Sequence, residues 1–375
     1  MKFTHLHKRS PASAGTQKNG SIEFLRFLFC IVVLLFHEQK YLLGEASLKH
    51  GLHLAFFPHG SIGVEFFFVL SGALMAKSIY SKRDTSPSPK EYGAFLAHKY
   101  GSLFPQHFVA FVIAVAVWAV FSKFQSLAQL IRYLVDSIPN FLLIQMSGIN
   151  LANPNHVEWY ISCMLIAMAV LYPICRRFYT AFTHYFAPLG ALFILGYLYH
   201  TTGTLTGVDV WSGLCYKPLL RAFAELALGT TAFELARALS RASLTRLTRT
   251  LLTITELLLI LCTMTYILIT FPKKYEFYLL GVILLLVIIS FSHVTHSCHL
   301  TQNRFVYALG KLSLPIYLSQ VSGIRLTQYF LPHASQLTQL IVAFCLTLFL
   351  ALVTMQLAKG VVSFARQLQI RLQQG

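Results

Sequence analysis

Residues 22–43 read IEFLRFLFCIVVLLFHEQKYLL, an apolar stretch long enough to cross a bilayer as one helix. The ionisable side chains of Arg26 and His37 lie inside it. Eleven positions turn an α-helix through about 1100°, within roughly 20° of three full turns, with a rise of roughly 16 Å. Both side chains are therefore expected on nearly the same face, one above the other. Because ionisable groups are costly inside a membrane helix, this face is predicted to line a functional site.

The composition is typical of a polytopic membrane protein. Of the 375 residues, 56% are hydrophobic and only 11% are charged, whereas soluble domains are about 25% charged. The net charge of +17 does not indicate nucleic-acid binding, because the basic residues lie in short loops between apolar segments. The seven cysteines are scattered, and we interpret them as small buried hydrophobic residues.

The hydropathy pattern predicts an all-α fold, a membrane helical bundle of about ten transmembrane helices. One membrane domain is expected over residues 21–358, with basic cytosolic tails at residues 1–20 and 359–375. The predicted spans are Ile22–Leu43, Ser61–Tyr80, Leu103–Phe121, Trp159–Cys175, Tyr185–Tyr199, Pro218–Leu235, Leu251–Phe271, Phe277–Phe291, Phe305–Phe330 and Leu337–Leu357.

The stretch Leu127–Met146 is predicted to be an amphipathic interfacial helix rather than an eleventh span. It contains Arg132, Asp136 and Pro139, which a spanning helix rarely combines. With ten spans, most loop lysines and arginines fall on the side of the N-terminus. The positive-inside rule therefore predicts that both termini are cytosolic.

A second motif, Gly60-Ser-Ile-Gly-Val-Glu-Phe-Phe-Phe-Val-Leu-Ser-Gly72, opens the second predicted span. It places Glu65 among phenylalanines, where a carboxylate must pair or be protonated. His37 is the expected partner, because a carboxylate would fix the imidazole tautomer. The pair Ser71-Gly72 permits close approach of another helix, and the alternative reading of the whole motif is helix packing alone.

Five landmarks along the chain resemble one known family. They are the R-x10-H pair Arg26 and His37, the Gly60–Gly72 motif, Trp159-Tyr-Ile-Ser162, Arg221-Ala-Phe-Ala-Glu-Leu-Ala-Leu-Gly229, and Leu309-Gly-Lys-Leu-Ser-Leu-Pro-Ile-Tyr-Leu318. Together they resemble the acyltransferase-3 family of integral membrane O-acyltransferases, over residues 21 to about 357.

The resemblance implies a ten-helix enzyme of the bacterial cytoplasmic (inner) membrane. Such enzymes transfer acyl groups, usually acetyl from acetyl-CoA, to hydroxyls of an envelope polysaccharide or a lipid-linked glycan. The first-span arginine and histidine, here Arg26 and His37, are the residues tied to activity. The expected partners are acetyl-CoA as a substrate, a carbohydrate acceptor and membrane lipids, with no tightly bound cofactor and no metal. A homo-oligomer stays open.

The sequence departs from the family pattern at two places. Where the family commonly has R-x-x-R before the third span, this chain has Lys99 and Ser102. Lysine still binds phosphate, although as a point charge rather than as a fork. The late I-Y-L-x-H element ends in Gln320, so no base is expected there.

A mechanism follows from the resemblance. CoA would bind from the cytosol with its phosphates near Lys99 and Arg26, and His37 would act as general base on the acceptor hydroxyl. Glu65 is the third catalytic candidate. The candidates for substrate contact or oxyanion stabilisation are Trp159, Tyr160 and Ser162 from one element and Ser71 from another. Direct transfer and a route through an acyl-enzyme both stay open.

Other polar residues inside the predicted spans have simpler interpretations. Arg221 and Glu225 are expected to form an i, i+4 pair, and Arg325 needs a partner because it is buried in a span. His293, His296 and His299 are interpreted as interfacial rather than metal-binding. The rival function is a polytopic transporter or flippase, but the Gly/Pro-broken helices expected in two matching halves are not found.

Overall fold

The computed structural model describes residues 19–44, 57–121, 124, 126–149, 152–213, 215–269 and 271–374. Within this part of the chain, ten helices have 16 residues or more. They are α1 (Gly20–Leu42), α2 (Gly63–Tyr80), α3 (Pro89–Phe121), α4 (Trp159–Arg177), α5 (Ala187–Thr202), α6 (Lys217–Arg241), α7 (Arg246–Leu268), α8 (Glu276–Ser292), α9 (Arg304–Phe330) and α10 (Gln336–Gln374).

Short elements connect the long helices. Two-residue strands β1 (Trp211–Ser212) and β2 (Cys215–Tyr216) pair antiparallel before α6. The short helices are Leu127–Asp136, Ile138–Phe141, Tyr179–Ala181 and Ser297–Thr301, with a π-helical turn at Phe182–Phe186. The 3₁₀ turns are Gly60–Ile62, Gln145–Ser147, His156–Glu158 and Lys273–Tyr275.

The prediction of an all-α membrane bundle is confirmed. Eight helices are long and apolar enough to span a bilayer, and among the long helices only α6 and α9 fall outside that group in the described chain. Each of these two carries five of the buried polar side chains of the described chain, among them Arg221, Glu225 and Gln320. Counting both gives the ten helices that the sequence predicts, whereas the placement of the termini in the cytosol stays a prediction.

The two polar helices are central because small residues allow other helices to approach them closely. A Cβ atom at Gly72 of α2 would collide with the backbone carbonyl of Leu226 on α6, and one at Gly229 would collide with that of Val69. This contact places α2 directly against α6. On the other side of the bundle, α9 packs between α1 and α10.

Arginine side chains form polar contacts at one end of the bundle. There, Arg176 donates to the backbone carbonyl of Lys82 at 2.9 Å, and Arg237 donates to the hydroxyl of Tyr80 at 2.8 Å. We call this the basic end; α1 begins here, where Asn19 caps the helix and donates to the carbonyl of Ser290 at 2.9 Å. The opposite end, where α1 finishes, is the far end.

Several boundaries differ from the predicted ones. The third span belongs to a helix that begins at Pro89, about four turns before the predicted start. The last helix continues to Gln374, through the residues predicted as a tail, and the described part of the first predicted tail is residues 19–20. The stretch 127–146 is broken into short pieces with an exposed first helix, so it is not a span.

Candidate active site

Arg26 and His37 lie on one unbroken helix, α1. Their spacing therefore corresponds to about three turns, or roughly 16 Å along the axis. Arg26 is the nearer of the two to the basic end, and its Nη1 lies 3.1 Å from a carboxylate oxygen of Glu23. His37 lies towards the far end, so the two residues lie near opposite ends of α1.

Gln320 on α9 is the hydrogen-bond partner of His37. Its Oε1 lies 3.0 Å from Nδ1 of the imidazole, while its Nε2 donates to the carbonyl oxygen of Tyr317 at 2.9 Å. Because that carbonyl engages the amide nitrogen, the amide oxygen faces His37 and Nδ1 carries the hydrogen. Nε2 of His37 is therefore the nitrogen with the lone pair that can accept a proton.

Glu65 does not pair with His37, so the predicted pairing is wrong. Its Oε1 accepts from Nη2 of Arg221 on α6 at 2.5 Å. Both side chains are buried, with exposed fractions of 0% and 3%. The close contact of α2 with α6 brings these residues together, and His37 receives an amide instead of a carboxylate.

Arg221 lies close to two carboxyl groups, those of Glu65 and Glu225. The predicted i, i+4 contact is present, with Nε of Arg221 3.6 Å from Oε1 of Glu225, and Glu65 lies on the other side of the guanidinium. The ring of Trp159 on α4 lies 5.5 Å from the guanidinium carbon. This buried cluster therefore connects α2, α4 and α6, and the ring of Trp159 packs against it.

Ser71 on α2 and Tyr160 on α4 contact each other. Their hydroxyl oxygens are 3.0 Å apart, and Tyr160 donates to the carbonyl oxygen of Phe67 at 3.1 Å. Arg26 and Glu225 both lie within electrostatic range of the Tyr160 hydroxyl. The pair therefore places two hydroxyls within the electrostatic influence of both the arginine of α1 and the carboxyl cluster.

Ser162 occupies a different position. Its hydroxyl accepts from the backbone N–H of Met146 at 3.2 Å, and it is fully buried. This bond fixes the turn Gln145–Ser147 against α4. Of the four substrate-contact candidates, the geometry therefore brings together Ser71 and Tyr160, while Ser162 supports a neighbouring loop.

Lys99 on α3 approaches Arg26 closely enough for the two positive charges to act on each other. In the described part of the chain, its ammonium group has no carboxylate within 4 Å. Ser102, at the position where the family has its second arginine, donates to the carbonyl of Lys99 at 2.8 Å and adds no charge. Two neighbouring cations near the basic end form a natural place for an anion.

His156, which the sequence reading did not single out, lies beside His37. The two ring centroids are 6.3 Å apart and perpendicular, and the ring of Tyr41 lies 5.0 Å from His156. His156 precedes the Trp159-Tyr160 element by one turn, and this adjacency is the only signal in the sequence that could have identified it.

A hydrogen-bond network that the sequence did not reveal lies next to this region. His107 on α3 lies 2.9 Å from Oε1 of Glu158 through Nδ1 and 2.8 Å from the carbonyl of Phe141 through Nε2. Asn155 donates to the same carboxylate oxygen at 2.8 Å and to the carbonyl of Leu318 at 2.9 Å. The network therefore ties α3 and the start of α4 to α9, two residues before Gln320.

No cluster of three or more His, Cys, Asp or Glu side chains suitable for a metal ion occurs among the residues that the structure describes. His293 instead ends α8 in a left-handed conformation with φ of 60°. His296 lies 3.4 Å from the hydroxyl of Thr250 on α7. These two histidines are exposed at the basic end.

Comparison with known proteins identifies a family for nearly the whole chain. A family model described as an acyltransferase domain, the acyltransferase-3 model, matches residues 19–356. The matched region runs from the cap of α1 into α10 and contains every residue of the site described above. Searches of curated proteins and of solved structures gave no match.

Proposed function

The chain belongs to the acyltransferase-3 family and is a membrane acyltransferase, and from this premise we propose that it transfers acetyl from acetyl-CoA to a carbohydrate hydroxyl. The acceptor belongs to a cell-envelope polysaccharide or a lipid-linked glycan, and the enzyme acts in a bacterial cytoplasmic membrane. The family match does not favour the transporter alternative. The observation that carries the proposal is the bond from His37 to Gln320, because it prepares Nε2 as a base.

The donor binds from the basic end in this proposal. Arg26 and Lys99 place two positive charges that act on each other near the basic end, and the phosphates of CoA are the anionic groups that they would bind. The pantetheine arm then extends along α1 towards His37. The roughly 16 Å between Arg26 and His37 separates phosphate binding from the acyl-transfer centre.

The chemistry centres on His37. Its Nε2 removes the proton from the acceptor hydroxyl while the hydroxyl oxygen attacks the thioester carbonyl carbon. The C–S bond breaks as the tetrahedral intermediate collapses, and the CoA thiolate takes the proton back from the imidazolium. Gln320 keeps Nδ1–H donating throughout, so the imidazole holds the same orientation in both steps.

The oxyanion requires a hydrogen-bond donor, and the Ser71–Tyr160 pair is the best-placed candidate. The two hydroxyls already contact each other at 3.0 Å, so one can turn towards the substrate while the other keeps its protein partner. The buried cluster of Glu65 and Arg221 holds α2 and α6 together near these hydroxyls. In this proposal Glu65 is a positioning residue.

The test is transfer of radiolabelled acetyl from acetyl-CoA into the envelope glycan fraction of membranes. Membranes would contain the wild-type protein, His37→Ala, His200→Ala or no protein; His200 is an exposed histidine near the end of α5 and serves as the control. We expect label only with wild type and His200→Ala. Label that persists with His37→Ala, at equal amounts of folded protein, would contradict the role of His37.

A further inference from the structure

A cavity of about 220 Å³ lies at the far end of the bundle. Its lining residues come from the end of α1, from the turn before α4 and from α9. They are Tyr41, His156, Val321, Ile324, Arg325 and Gln328. Two of these residues, Tyr41 and His156, are in ring contact with His37, at centroid distances of 6.0 and 6.3 Å. A molecule in this cavity would therefore contact side chains that themselves contact the proposed base.

Arg325 is the strongest feature of the cavity. The ring of Trp118 lies 4.2 Å from its guanidinium carbon, and Nη1 donates to the carbonyl oxygen of Pro154 at 3.0 Å. Among the described residues, no carboxylate lies within 4 Å of it. An arginine embedded in a membrane bundle pairs with another charged group or with backbone carbonyls. Here a carbonyl and an aromatic face contact Arg325, so its positive charge is not neutralised by an acidic side chain of the described residues.

The groups around His156 are also basic. The charged and titratable groups that act on it most strongly are His37, Arg325 and Lys40. Its Nε2 is buried and has no hydrogen-bond partner in the described part of the chain. The cavity therefore combines a positive potential with a buried polar atom that a ligand could satisfy.

We propose that this cavity binds the acyl acceptor through an anionic group, a carboxylate or a phosphate, carried by the sugar that is modified. Arg325 binds that group, His156 hydrogen-bonds to a sugar oxygen through Nε2, and the hydroxyl to be acylated faces His37. The inference rests on the proposed function, and it adds the chemical class of the acceptor: an acidic sugar or a sugar phosphate.

Direct binding tests this proposal without requiring catalysis. The purified full-length protein in nanodiscs would be titrated with a glucuronic-acid disaccharide, with glucose 1-phosphate and with a neutral glucose disaccharide. We expect the wild type to bind at least one anionic probe more tightly than the neutral one. Arg325→Gln should weaken anionic binding by about 10- to 100-fold, because a charge-assisted hydrogen bond is lost. Arg325→Lys, which keeps the charge, should lose less.

The matched control is Arg132→Gln. Arg132 lies on the exposed helix Leu127–Asp136 and pairs loosely with Asp136, 3.8 Å away. Its replacement should leave the affinity unchanged. Equal binding of neutral and anionic probes, an unchanged affinity in Arg325→Gln, or no binding of either anionic probe would overturn the proposal.

The labelling experiment separates this inference from the proposed function. Anion binding that depends on Arg325, without any acetyl transfer, would contradict the function and leave the cavity assignment standing. Transfer that requires His37 but is the same in Arg325→Gln as in the wild type would support the enzyme and refute the acceptor assignment.

Discussion

Oε1 of Gln320 lies 3.0 Å from Nδ1 of His37, across 283 positions of sequence. The bond determines the tautomer of the imidazole because the other end of the amide is held by the carbonyl of Tyr317. A neutral amide does for His37 what a carboxylate does in other base–orienter pairs, without adding a buried negative charge.

Replacing Gln320 by Leu should therefore lower kcat with little effect on either KM. The imidazole then lacks an acceptor for Nδ1–H and populates the wrong tautomer, and we expect a loss of about 10- to 100-fold, at the lower end of what a general base contributes. Steady-state kinetics on folded protein measures it. Gln356→Leu, an exposed position on α10, is the control, and Gln320→His should retain most activity. Equal kcat in Gln320→Leu and wild type would remove this role.

Lys99→Ala should mainly raise the KM for the acyl donor. The lost contact is with a phosphate, which does not change in the reaction. Binding should therefore weaken equally in the ground state and in the transition state. A rise of about tenfold is expected, with kcat unchanged. Lys90→Ala, an exposed lysine at the start of the same helix, provides the comparison. An unchanged donor KM with a reduced kcat would contradict the assignment.

Arg221→Met should destabilise the fold strongly. It leaves Glu65 and Glu225 buried without a cation, and breaking a buried ion pair costs about 3–5 kcal/mol. The measurement is thermal unfolding in detergent together with the yield of monodisperse protein. Arg132→Gln, which removes an exposed pair worth about 0.3–0.5 kcal/mol, should change little. Similar Tm values for the two variants would show that the cluster does not support the bundle.

Gly72→Ala should also destabilise, for a steric reason. The added Cβ would collide with the carbonyl of Leu226 and force α2 away from α6, at an expected cost of about 1–3 kcal/mol. In contrast, Gly190→Ala on α5 has open space around its Cβ and should be neutral or slightly stabilising. Thermal unfolding of the two variants side by side tests the contact; a neutral Gly72→Ala would refute the close packing.

His59 should make stability depend on pH. It lies just before the second span, where Nε2 accepts from the backbone N–H of Phe271 at 3.0 Å, and burial lowers its pKa from the ordinary value. The unfolded chain therefore binds a proton at His59 more readily than the folded chain does. The contribution of His59 to the free energy of unfolding is complete above about pH 6.5 and falls as the pH drops below it. The slope cannot exceed about 1.4 kcal/mol per pH unit.

The measurement is the difference in unfolding free energy between pH 7.5 and pH 5.5. His59→Asn, whose side-chain oxygen can still accept from Phe271, should show a smaller difference than the wild type. An equal pH dependence in both proteins would show that other groups account for the acid sensitivity.

The sequence by itself determined the features that depend on local order. Apolar length predicts the number of spans, because each must match the bilayer thickness. Helical geometry puts Arg26 and His37 on one face, and the polar residues of 127–146 argue against that stretch as a membrane span. The resemblance in the R-x10-H pair and the Gly60–Gly72 motif agrees with the family match over residues 19–356.

Only the tertiary structure decided which polar groups meet. Glu65 pairs with Arg221, 156 positions away, because Gly72 and Gly229 let their helices approach closely. His37 meets Gln320, a residue that the sequence comparison treated as the loss of a base. Periodicity fixes the face of a helix that a side chain occupies, but the partner across an interface depends on which helices pack together and at what height.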